Sequence, residues 1–194
     1  MHVDRYYVKD KNGRLQNAPY VDNSYKWAGG GLLSTAGDLV RFGNAMLYSY
    51  QHSDGDHTLP GYLGRETMRQ IWTGVERTRC SWDTHDSLYG MGWGVMSPVA
   101  KYGHAASRPF YVSHTGGSIG ASSVLLIEPR TVERCSAQCS DQSSTLPSSD
   151  QRASLPDRDQ CAPLQGVAVA IIMNIQGVNL NPVAEKIARI FQEL

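Results

Sequence analysis

The run GVAVAIIMNI, Gly166 to Ile175, constrains the fold more than any other stretch of the chain. Its unbroken apolar part, Val167 to Met173, is far short of the roughly 18 residues needed to cross a bilayer and is rich in β-branched side chains that favour a pleated surface. It predicts a strand buried on both faces. Just downstream, Asn181 can cap a helix and Pro182 suits its first position, while Val183, Ile187, Ile190, Phe191 and Leu194 fall on one stripe. The end of the chain is therefore expected to be a sheet with an amphipathic helix laid on it.

The remaining elements follow from the same periodicities. Asn12-Gly13 lies between two short runs carrying Tyr and Val, the chemistry of a tight hairpin turn. After three glycines, Gly29 to Gly31, either Ser34 or Thr35 can cap a helix running to about Tyr48, with Asp38 in its first turn and Leu39, Phe42 and Met46 at helical spacing. The glycines read as a loop with unusual backbone angles, because no G-x-x-x-x-G-K or G-x-G-x-x-G follows. GRETMRQIWT is a shorter helix burying Met68, Ile71 and Trp72; LYGMGWGVM, PFYVSHTGG and ASSVLLIEP read as strands.

Composition matters in two places. Eighteen basic and eighteen acidic side chains balance, with no basic stripe interleaved by aromatics, so nucleic acid is not an expected partner; no transmembrane segment is expected either. Residues 130–165 hold seven serines and three of the four cysteines, Cys135, Cys139 and Cys161, with Cys80 elsewhere. That segment has too little apolar surface to offset its ordering entropy and is expected to be a disordered insertion. A zinc site needs four ligands, and neither a CxxC nor a nearby histidine completes one around Cys135 and Cys139. No metal and no cofactor are expected.

SHTGGSIGASSV, Ser113 to Val124, contains a literal G-x-S-x-G around Ser118. A nucleophile elbow requires a strand turning into a helix and a histidine later in the chain. Here a β-rich run follows, and all six histidines (His2, His52, His57, His85, His104 and His114) precede Ser118. Ser118 reads as a turn serine. The interest moves to His114-Thr115-Gly116-Gly117, where a strand edge could lie beside an extended substrate, Thr115 could offer a hydroxyl, and the Gly117 N–H could face an oxyanion.

His114-Thr115-Gly116 resembles the third motif of the penicillin-recognising serine hydrolases, usually Lys-Thr-Gly. YKWAGGGLLSTAGDLVRFGNAML resembles the glycine loop and helix of class C β-lactamase-like proteins, YGMGWGV their preceding strand, and HTGGSIGASSVLLIEP with VAVAIIMN their final hairpin. PYVDNSYKWAGGG, LPGYL and ETM extend the resemblance to a mitochondrial animal branch of that family over nearly all of residues 1–194. It implies an α+β fold, the C-terminal part of a β-lactamase/transpeptidase-like domain with an antiparallel sheet and packed helices. It also implies mitochondrial placement, filament self-association, a link to lipid metabolism, and a peptide or ester-like substrate.

The family attacks with the serine of an S-x-x-K motif, assisted by a Y-x-N tyrosine. Neither motif occurs: Ser24 is followed by Lys26, Ser97 by Lys101, and Tyr20 and Asn23 are three apart. The chain is expected to be a C-terminal portion that cannot acylate alone. His114 replaces a fixed cation by an imidazole, a group whose ordinary pKa of about 6.5 leaves it mostly neutral at pH 7. Two readings result: a serine-hydrolase half-site in which His114 and Thr115 act catalytically and Gly116 and Gly117 bind the substrate or oxyanion, or a noncatalytic assembly module.

Overall fold

The computed structural model describes residues 5–51, 62–83, 87–99, 108–130 and 165–192. The insertion expected at 130–165 and the cysteines within it lie outside the described residues, apart from its two ends. Those ends are tied together: Arg130 N donates to Gln165 O at 3.0 Å, and Gln51 Nε2 donates to both Arg130 O (3.1 Å) and Gln165 O (2.5 Å). Whatever length of chain intervenes, the sheet is closed beneath it.

The architecture is α+β. Strands β3 (Leu88–Tyr89), β4 (Gly94–Met96), β5 (Tyr111–Ser118), β6 (Ala121–Pro129) and β7 (Gly166–Met173) form one antiparallel sheet in that spatial order. A separate hairpin, β1 (Tyr7–Lys9) with β2 (Leu15–Asn17), closes around Asn12-Gly13 with Gly13 at φ 78°. It docks beyond the end of β7, where Tyr7 N donates to Asn174 O and Gln176 N donates to Tyr7 O.

Because successive side chains of a strand point to opposite faces, the apolar runs feed two cores. On one face Val95, Val112, Leu125 and Ile127 meet Met46 and Leu47 of α2 (Ala36–Gln51), Met68 of α3 (Arg65–Ile71), Trp72 and Trp93. On the other, Met96, Tyr111, Val124, Leu126 and Val169 meet Leu180, and Ala184 and Ala188 of α4 (Asn181–Gln192). Helix α2 approaches closely at Gly43, where a Cβ would lie 3.1 Å from Ala168 Cβ and 3.3 Å from Leu125 Cδ1. Of the two possible caps, Thr35 acts: Asp38 N donates to its Oγ1 at 3.1 Å.

Four expectations are corrected. Asn181 does not cap α4 and Pro182 is not its first residue: Asn181 is the first helical residue, its N–H donates to Asn179 Oδ1 at 3.1 Å, and its side-chain amide donates to Glu185 Oε1 at 2.9 Å. LYGMGWGVM is a hairpin rather than one strand; Gly90 N donates to Trp93 O and Gly92 takes φ 80°, so the chain reverses between β3 and β4. β7 is not fully buried: β6 is its only neighbour in the sheet among the described residues, and Ile172 and Met173 are exposed although Val169 is buried. An unbroken apolar run does not distinguish a central strand from one at an edge.

On α4 the buried row is Asn181, Ala184 and Ala188, whereas Val183, Ile190 and Phe191 are 48%, 62% and 52% exposed. Alanine lets the helix axis come close to the sheet, so the small residues face inward and the larger stripe is rotated outward. Ile187 sits half-buried at the border, and Leu194 lies outside the described residues.

Burial pushes the Tyr111 hydroxyl pKa well up, and the Asp83 and Glu185 carboxylates add to it by disfavouring a phenolate. Folding keeps this proton on, so its stabilising contribution holds below about pH 10 and is lost as pH rises past the point where an unfolded tyrosine ionises. Tyr111→Phe, which also loses the 3.2 Å bond to Asp83, is expected to cost about 1 kcal/mol at pH 7. Urea melts at pH 7 and above pH 10 should show that gap narrowing. The same melts check the packing: Leu126→Ala, at a fully buried position, should cost about 3 kcal/mol, and Ile190→Ala on the exposed side of α4 less than about 1 kcal/mol.

Candidate active site

Strand β5 changes character halfway along. Tyr111, Val112 and Ser113 are buried and pair with Met96, Val95 and Gly94 of β4. Beyond Ser113 that neighbour stops, while pairing with β6 continues from His114 opposite Leu125 to Ser118 opposite Ala121. His114, Gly116, Gly117 and Ser118 are exposed and Thr115 is half-buried. Among the described residues, this five-residue stretch is a strand edge bonded on one side and open on the other.

Each end of the open stretch has a neighbour from a distant part of the chain. At the Ser118 end, Asn23 Nδ2 donates to Ser118 Oγ at 3.4 Å, and the short helix α1 (Trp27–Gly30) packs against β5. Asn23 precedes a 3₁₀ turn, Ser24–Lys26, held by the Ser24 N–H donating to Asp22 Oδ1 at 2.9 Å. The Ser24 hydroxyl, and after it this N–H, hold the Asp22 carboxyl below the ordinary carboxylate range. Two of the three glycines then allow the chain to turn: Gly30 has φ 148°, and a Cβ on Gly31 would lie 2.8 Å from the Trp27 backbone.

At the His114 end, Trp82 packs on the imidazole with ring centroids 4.7 Å apart, and Tyr89 Oη lies 3.3 Å from His114 Nε2. Cys80 lies beneath, its thiol pushed up in pKa mainly by burial and further by the Asp83 carboxylate, against the bond to Ser87. It is not the thiolate that a nucleophilic cysteine requires. Among the described residues no group of three or more His, Cys, Asp or Glu could hold a metal ion, and no helix is long and apolar enough to cross a membrane.

The structure thus brings His114, Thr115, Gly116 and Gly117 onto one exposed strand edge. Ser118 ends β5 and is followed by the two-residue turn Ile119-Gly120, with Gly120 at φ 81°, and then by strand β6. A strand-turn-strand does not present a serine as an elbow does. The two glycines differ. A Cβ on Gly116 would run into the Ser123 side chain directly across the ladder, whereas one on Gly117 would meet nothing within 4 Å. At Gly116 the Ser123 hydroxyl would have to turn aside for a Cβ; Gly117 leaves room above the strand for something outside it. Asn23, Trp82 and Tyr89 were not singled out as site residues, because no local pattern links them to a strand 25 or more residues away.

A helix-backed antiparallel sheet with a His-Thr-Gly-Gly edge left accessible defines a β-lactamase-type domain, and the chain belongs to the β-lactamase family, whose sequence profile matches residues 2–191. Its relatives include the serine β-lactamase-like protein LACTB, mitochondrial, of Bos taurus (46% identical), Homo sapiens (45%) and Mus musculus (46%), each over 193 residues and 97% of this chain. The chain spans 31% of the length of each of these relatives.

The cross-strand crowding at Gly116 can be measured by a double-mutant cycle. Gly116→Ala should destabilise the protein by about 1–2 kcal/mol in urea melts, and most of that loss should disappear in a Ser123→Ala background. The same alanine at Gly117 should cost less.

Proposed function

We propose that this chain supplies one half of the active site of a penicillin-recognising-type serine hydrolase acting on a peptide or ester-like substrate. The open stretch of β5 carries the reading: an extended substrate can lie along the side of β5 away from β6, where no strand pairs with it among the described residues, between Asn23 at one end and Trp82 and Tyr89 at the other. Thr115 offers a hydroxyl beside the scissile group, Gly117 an N–H for the oxyanion, and His114 a hydrogen bond or a proton relay. Gly116 lets backbone approach backbone.

The serine of S-x-x-K and the Y-x-N tyrosine, absent from these 194 residues, come from further polypeptide in this reading. That serine attacks the substrate carbonyl, the departing amine or alcohol takes the proton released, and water then cleaves the acyl-enzyme. The 194-residue chain alone is inactive. The names of the relatives support mitochondrial placement; a role in lipid metabolism belongs to the same proposal.

A second reading, a noncatalytic module that self-associates into filaments, is favoured by the exposed apolar side of α4 at Val183, Ile190 and Phe191. Electron microscopy and sedimentation velocity test it on this chain. Ordered polymers abolished by Phe191→Glu support it, and a monomer at all concentrations removes it.

The half-site is tested in a longer polypeptide that contains the S-x-x-K segment, with a fluorophosphonate probe. His114→Ala and Thr115→Ala should each lower the second-order labelling rate by about 10- to 100-fold. Rates equal to wild type in both variants overturn the assignment.

A further inference from the structure

The imidazole of His114 is held from one side by a tyrosine that the resemblance does not assign to the site. Tyr89 Oη is 3.3 Å from His114 Nε2, their rings are 6.2 Å apart at 63°, and Trp82 touches both, 5.8 Å from Tyr89 and 4.7 Å from His114. Three rings from three segments make one aromatic cluster at the closed end of the β5 edge.

Neither neighbour is free to wander. Tyr89 N donates to Thr78 Oγ1 at 2.8 Å, and Val75 N donates to Tyr89 O at 2.9 Å. The carbonyl of Trp82 accepts from Asn179 Nδ2 at 2.8 Å, and the next residue, Asp83, accepts from the buried Tyr111 hydroxyl. Backbone anchoring of this kind fixes where the Tyr89 hydroxyl can reach.

A neutral imidazole has one N–H and one acceptor nitrogen, and a phenol has one O–H. Of the two partners the phenol is the better donor and the imidazole nitrogen the better acceptor. A bond from Tyr89 O–H to Nε2 therefore uses up the acceptor and places the proton on Nδ1. The reverse bond, Nε2–H to Oη, would leave Nδ1 as a bare lone pair. These alternatives give the site opposite chemistry, a hydrogen-bond donor in one case and a base in the other.

We propose that Tyr89 is a positioning residue that holds His114 in the Nδ1–H tautomer, so that the β5 edge presents a neutral donor to the substrate. The substrate group it fits is an acceptor, a carbonyl or carboxylate oxygen, bound by hydrogen bonding instead of by a fixed ion pair. This rests on the half-site reading for its role in the reaction, while the contact itself stands on the distances.

Long-range ¹H–¹⁵N spectra of the ¹⁵N-labelled 194-residue chain at pH 8, with the His114 signals assigned by their absence in His114→Gln, read the tautomer directly. Wild type should show Nδ1 protonated and Nε2 bare. Tyr89→Phe keeps the ring and removes the hydroxyl; it should shift the tautomer ratio toward Nε2–H by roughly three- to tenfold, the span a neutral hydrogen bond supports. A wild-type His114 in the Nε2–H form overturns the proposal, as does an unchanged ratio in Tyr89→Phe. If that variant loses its backbone dispersion, the wild-type tautomer decides alone. A shifted ratio together with unimpaired probe labelling in both His114→Ala and Thr115→Ala would remove the half-site reading and leave the Tyr89 contact standing, so the two failures are distinguishable.

Discussion

The register of β5 against β6 is the constraint on which the rest of the molecule depends. It is set at one place, the two-residue turn Ile119-Gly120, where Gly120 takes the positive φ that a side chain would resist. From there Ser118 faces Ala121 and the pairing runs without a bulge to Val112 opposite Ile127. A slip of one residue would send Val112 and Tyr111 to the wrong faces and empty both cores at once. It would also move Gly116 off Ser123, and in the direction that brings Thr115 there it would put a side chain in that crowded spot. The glycine at the turn and the glycine in the strand thus specify the same pairing from two positions.

That register also explains why the exposed part of β5 can serve as a site. Its first three residues are gripped from both sides and buried, which makes the strand rigid just before it emerges; among the described residues the next five pair only with β6. An edge of this kind usually invites unwanted pairing. Here it is short, it carries two glycines and a histidine, and its ends are flanked by Asn23 and by the Trp82–Tyr89 pair. The site is assembled from segments near positions 23, 82, 89 and 114, and its closed end is fastened to the α4 side of the sheet through Asn179 and Tyr111. Loosening the Tyr111 core would therefore be felt at His114, although the two side chains do not share a hydrogen bond.

Much of this was legible because it is local. The cap at Thr35, the hairpin at Asn12-Gly13 and strands β5 and β6 each announce themselves within a few residues. What was not legible depends on partners distant in sequence. Nothing in VAVAIIM says that, among the described residues, β6 is the one strand beside it, and nothing in α4 says that Ala184 and Ala188 will be chosen over Ile190 and Phe191. The choice comes from how near the sheet allows a helix to approach. The His114, Thr115, Gly116 and Gly117 edge was visible as a pattern, but Tyr89 required the β3–β4 reversal, which brings a residue 25 positions upstream to the imidazole.

The replacement of a fixed cation by an imidazole gains a physical meaning from those neighbours. A lysine ammonium exposed to solvent is charged at neutral pH and attracts anions over a distance set by screening, about 8–10 Å at ordinary ionic strength. An imidazole between a tryptophan face and a tyrosine hydroxyl acts at contact range and through one directed proton. A site so built loses long-range capture of charged ligands and depends on fit along the strand, where Gly116 and Gly117 allow close approach. In the proposed half-site, recognition by shape and backbone pairing would suit an extended acyl or peptide chain better than a small anion, because an extended chain could use all five open positions of β5 while a small anion would meet His114 alone.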